Sequence, residues 1–72
     1  MNLKELRKEH GLSASQMASI LHISRPTLVR IEHDPLRLTD YFIADHIASI
    51  LGLPLEVVFP QFKERHSPDS SS

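Results

Sequence analysis

Apolar positions along this chain recur at helical spacing in short blocks, each opened or closed by a residue suited to a helix end. Leu3 and Leu6 give the inward face of a first helix over residues 3–10, and Gly11 is its expected left-handed stop. Ser13 followed by Gln16 is a capping box, and Met17, Ala18 and Leu21 then form one buried face, predicting a second helix over about residues 14–21. Ser24 caps a third helix over about residues 25–32, with Pro26 in its first turn and Leu28 and Ile31 as its inward pair. His22 and Ile23 lie between these two helices, and so short a gap forces a steep helix-turn-helix crossing. Pro35 biases Asp34 out of a helix and makes residues 33–36 a loop. Thr39 is the expected cap of a fourth helix over about residues 40–51, ended by Gly52, with Asp40 at the positive end of its dipole. Leu53-Pro54 opens a short fifth helix to about Phe59, stopped by Pro60. The pattern predicts an all-α, compact five-helix domain over residues 1–62, with a polar tail over 63–72 whose SPDSSS end is expected to be disordered.

The outward face of the third helix poses the functional question. Pro26, Val29, Arg30 and His33 recur at i, i+3, i+4 and i+7 and form one stripe, flanked by Ser24, Arg25 and Thr27. Such an end suits a DNA major groove. Arginine pairs bidentately with guanine, Val29 offers contact to a thymine methyl, and hydroxyls favour phosphates. The alternative is an ordinary solvated face. Helix 4 carries an adequate inward stripe in Tyr41, Ala44, Ile47, Ala48 and Leu51, with Phe42, Ile43 and Ile50 to either side. Together with Val57, Phe59 and Phe62 these are expected to leave apolar surface exposed. Two readings stand for it: an interface, or a wider buried stripe closed by helix 5.

Charge complicates the DNA reading. The 72 residues carry eight basic and nine acidic side chains, a formal net charge of −1. Phosphate neutralisation supplies most non-specific DNA affinity, so a strong autonomous binder needs a basic face. Lys4, Arg7 and Lys8 cluster early, but Arg25, Arg30 and Arg37 are interleaved with Glu32, Asp34 and Asp40. Weak DNA affinity of the isolated chain is the expectation, unless it dimerises or acts through a partner. At 40% apolar residues the chain is globular, and at this length it buries about 60% of its unfolded surface, enough for one small core. There is no cysteine, so no disulfide staple or thiolate site; the charged start, MNLKELRKEH, lacks the apolar core of a signal peptide, and no stretch is long enough to span a membrane. A cytoplasmic setting is expected.

Catalysis finds no foothold. The glycines Gly11 and Gly52 sit at helix ends rather than in a phosphate loop. The histidines His10, His22, His33, His46 and His66 never fall three or four apart, so no helical metal pair forms, and no base stands beside Ser13, Ser15, Ser19 or Ser24. No metal, cofactor or small-molecule substrate is expected.

LKELRKEHGLS at residues 3–13, MASILHISRPTLVRIEHD at 17–34 and IASILGLPLEVVF at 47–59 resemble, in order and spacing, the Cro/CI-type helix-turn-helix family, the lambda-repressor-like domain of phage and bacterial regulators. The resemblance spans about four fifths of the chain. It implies that the third helix reads operator DNA, that the segment after helix 4 builds a dimer contact, and that Arg7 pairs with Glu32 as a structural ion pair. Ala14 stands where the family has a phosphate-contacting Gln, and His22 where it favours Gly; both lean away from a strong autonomous operator binder. In length and wording the chain is also similar to the small modulator-of-repression (antirepressor) proteins of lactococcal temperate phages, which act with a CI-type repressor in the lysis–lysogeny switch.

Three functions follow as expectations. In the first, the chain docks on a CI-type repressor and blocks or shares its operator binding. Asp34, Asp40, Phe42, Ile43, Asp45 and Ile50 are its candidate partner surface, acids and an apolar anchor suited to a basic DNA-reading face. In the second, it is a Cro-like homodimer that places Arg25 and Arg30 in successive major grooves about 34–36 Å apart. In the third, it is an antitoxin-type regulator, a role that small proteins of this family also fill.

Overall fold

The computed structural model of the protein describes residues 2–63. Within them the chain forms five α-helices and two 3-10 turns, and no strand. The helices are α1 (Leu3–Glu9), α2 (Ala14–Leu21), α3 (Arg25–His33), α4 (Tyr41–Leu51) and α5 (Leu55–Val58). The polar tail expected over residues 63–72 falls, apart from Lys63, outside the described residues.

Helix starts follow side-chain chemistry. Asn2 caps α1 by accepting from the Glu5 amide at 3.1 Å. Ser13 and Gln16 form the full capping box on α2: Ser13 Oγ accepts from the Gln16 amide at 3.0 Å, and Gln16 Oε1 accepts from the Ser13 amide at 2.8 Å. Asp40, not Thr39, caps α4, its Oδ1 accepting from the Ile43 amide at 3.1 Å. Thr39 and Asp40 are both good caps, and the helix starts one residue later than the sequence suggests because the carboxylate also meets the positive end of the helix dipole.

Helix ends share one device. Gly11, His22 and Gly52 have φ of +71°, +60° and +70°. Past each of them the next amide closes back over the helix, Leu12 to Arg7 O at 3.2 Å, Ile23 to Ala18 O at 3.0 Å and Leu53 to Ala48 O at 3.0 Å. This is the closing bond of a Schellman turn, and the apolar residue just past it seals the helix end; Ile23 and Leu53 pack on the core. His22 takes a conformation that glycine adopts without a Cβ clash.

The core joins Met17, Ala18 and Leu21 of α2, Leu28 and Ile31 of α3, and Ala44, Ile47, Ala48 and Leu51 of α4. Phe59 and Phe62 complete it at 0% and 1% exposure, which corrects the expectation that they leave apolar surface open. The 3-10 turn Pro60–Phe62 stacks residues three apart on one side and swings both rings onto the core. They meet edge to face at 6.4 Å, and Tyr41 meets Phe62 at 5.9 Å. Val57 stays half exposed. The expected loop after α3 contains the 3-10 turn Pro35–Arg37. Gln61 fastens it, its Nε2 donating to Pro35 O at 2.8 Å and to Leu38 O at 3.0 Å.

Candidate nucleic-acid interface

α2 and α3 pack closely on each other, with the left-handed His22 as the corner between them. Leu28 and Ile31 turn inward, which leaves the opposite side of α3 to solvent. Arg25, Pro26, Val29, Arg30 and His33 are exposed there, Val29 at 49%, and Thr27 is half-buried. The sequence-derived stripe is therefore a continuous open face one helix long. The Ser24 and Thr27 hydroxyls are already engaged: Ser24 Oγ accepts from the Thr27 amide at 3.3 Å and lies 2.8 Å from Thr27 Oγ1. They shape the N-terminus of α3 more than they offer free donors.

The face is anchored from behind. Arg7 is 5% exposed, yet it is charged. Its Nε donates to Glu32 Oε2 at 2.6 Å, its Nη2 to Glu32 Oε1 at 3.2 Å, and its Nη1 to Leu12 O at 3.0 Å. A planar guanidinium matched to a carboxylate fixes the distance and the roll of α3 against α1. Glu32 therefore adds no free negative charge to the open face of α3.

Two grooves of nearly equal size, about 470 and about 460 Å³, run along the two sides of α3, so chemistry and not volume separates them. The first lies toward α1 and the start of α2 and holds Lys4, Ala14, Arg25, Val29 and His33 above the Arg7–Glu32 pair. The second lies toward the 3-10 turn and the start of α4. Ile31, Leu38 and Ile43 line it, with Arg30 and Arg37 balanced by Asp34 and Asp40.

The candidate partner residues divide. Phe42 is 81% exposed, and Asp34, Asp40 and Asp45 are exposed. Ile43 and Ile50 are half-buried and pack on the core, so they offer a partner only part of their surface. Tyr41 holds the Phe42 ring edge to face at 5.8 Å. Phe42 and Asp45 stand three apart on α4, and so on one face.

Sequence reasoning missed Lys4 and Arg37 as residues that line the grooves beside α3. For Lys4 a signal exists: it precedes Arg7 by one helical turn, so an Arg7 that reaches α3 carries Lys4 to the same side. Among the described residues no cluster of three metal-ligating side chains forms, and no helix is long and apolar enough to cross a membrane.

A model of the family described as Helix-turn-helix matches residues 3–58. No curated protein and no solved structure matches the chain.

Proposed function

Because the chain belongs to the Cro/CI-type helix-turn-helix family of DNA-binding regulators, we propose that it is a phage-type modulator that acts in a bacterial cytoplasm on a lysis–lysogeny switch. It binds a CI-type repressor and blocks that repressor's operator contacts or shares them. One observation carries this reading: Phe42 stands 81% exposed, with exposed Asp45 three positions on and so on the same face of α4. A large ring held by Tyr41 with the Asp45 carboxylate on the same helix face suits a basic, DNA-reading protein face, where the apolar anchor supplies affinity and the charge supplies register. The net charge of −1 supports it too, since DNA would repel such a chain more than a basic repressor does.

A second reading has its own support. The open α3 stripe of Arg25, Val29, Arg30 and His33 suits a stand-alone Cro-like homodimer. A mobility-shift titration separates the two, with operator DNA and the protein alone, then with a CI-type repressor added. A modulator shifts DNA weakly by itself and alters or removes the repressor–DNA band. Tight, sequence-specific binding alone, with no effect on the repressor band, would overturn the modulator reading.

A further inference from the structure

The two grooves beside α3 differ in charge, and that difference gives the DNA face a direction. In the groove toward α1, the one carboxylate, Glu32, is consumed by Arg7 at 2.6 and 3.2 Å. Its remaining charged groups are cations, Lys4 from α1 and Arg25 from α3, both exposed. In the groove toward α4, Arg30 and Arg37 face Asp34 and Asp40, and the lining is mainly apolar. An anion is therefore attracted on one side of α3 and not on the other. Both grooves adjoin the stripe, the cationic one through Arg25, Val29 and His33 and the balanced one through Arg30 and His33, so charge alone separates them.

We propose that Lys4 grips a DNA backbone phosphate beside α3, so that α1 joins the DNA face and one strand runs along the α1 side. The assignment rests on the DNA-facing part of the function proposed above. Lys4 suits that role because an ammonium on a flexible stem reaches a phosphate as a point charge without exacting geometry. Its ammonium makes no hydrogen bond to another described residue and sits on the exposed side of α1, so changing it disturbs no core contact.

The test measures binding of the full chain to a 30-base-pair duplex of arbitrary sequence by fluorescence anisotropy, across a salt series. Each phosphate contact contributes about 0.9 to the slope of log affinity against log salt. Lys4→Gln is expected to reduce the slope by about one and to weaken all duplex sequences alike, Lys4→Arg to keep the slope, and Arg37→Gln to leave it unchanged. An unchanged slope in Lys4→Gln overturns the assignment. If Arg25→Gln still lowers the slope in that case, the DNA face of α3 stands and only the role of Lys4 fails. Equal losses in Lys4→Gln and Arg37→Gln would mean diffuse attraction with no directed side, and would also overturn it. So would Lys4→Gln that spares DNA but weakens a CI-type repressor complex, which would make the groove a seat for acidic protein side chains. Absence of wild-type binding to any duplex at low salt would overturn this assignment and the DNA-facing reading together. Circular dichroism of each variant confirms that the fold is intact.

Discussion

Arg7 and Glu32, 25 positions apart, are joined by two parallel hydrogen bonds in a site where their side chains are 6% and 9% exposed. Replacing such a buried pair with matched apolar groups is often neutral, but removing one partner strands a charge and costs about 3–5 kcal/mol. Against a total stability of about 5–15 kcal/mol for a small domain, that is a large fraction. Arg7→Ala and Glu32→Ala are each expected to lower the urea midpoint steeply, and Arg7→Met with Glu32→Leu to recover much of the loss. A single variant that loses less than about 1 kcal/mol would show the pair to be solvated and α3 to be held by its apolar contacts alone.

The helix ends give a pair of opposite outcomes from one mechanism. Gly52 has φ +70° with open space around a would-be Cβ, so Gly52→Ala meets only backbone strain and is expected to cost about 1 kcal/mol. His22 has φ +60° with a Cβ already in place. His22→Gly relieves that strain and is expected to raise stability by about 0.5–1 kcal/mol, a rise of several degrees in Tm for a domain of this size. Differential scanning calorimetry reads both. A His22→Gly variant that melts lower would mean the imidazole makes a contact worth more than the strain.

Much of this frame is legible in the chain. Ser13 with Gln16, Gly11 and Gly52 mark their helix ends by local chemistry alone, and local chemistry needs no knowledge of the fold. The inward residues of α2, α3 and α4 are legible because each helix is long enough for its period to repeat. Phe59 and Phe62 are not, since α5 is four residues long and the 3-10 turn after it has a different period. Nor is the choice of Asp40 over Thr39, where two good caps stand side by side. Of the interface, the open stripe on α3 can be read from one helix. The grooves beside it cannot, because Lys4, Arg25 and Arg37 come from three separate elements that only tertiary packing brings together.

Arg30 lies exposed on α3, beside the balanced groove, and under the proposed DNA-facing reading it supplies a bidentate base contact from the middle of the stripe. Such a contact is worth about 1–3 kcal/mol of discrimination. Arg30→Ala is expected to reduce affinity for operator DNA, measured alone or in the joint complex, by roughly 5- to 150-fold and to relax preference at one base pair. Wild-type affinity in that variant would remove Arg30 from base reading.

Phe42 tests the partner surface, and its exposure makes the experiment clean. At 81% exposed it contributes little to the core, while Ala44, Ile47, Ala48 and Leu51 carry the buried side of α4. Phe42→Asp is therefore expected to keep the helical circular-dichroism spectrum and to lower Tm by only a few degrees. If the ring is the anchor of the repressor complex, truncating it removes a central contact of the kind worth about 2 kcal/mol or more, a loss of affinity of roughly 30-fold. The added carboxylate separates anchor from charge: Phe42→Ala removes the ring alone, whereas Phe42→Asp restores some attraction to a basic partner. Phe42→Ala binding as weakly as Phe42→Asp, or weaker, is the result expected of an apolar anchor. Isothermal titration against a CI-type repressor gives both affinities. Full-strength binding by both variants would clear Phe42 of the role and leave the open stripe of α3 as the better supported surface, which is the arrangement a stand-alone Cro-like homodimer requires.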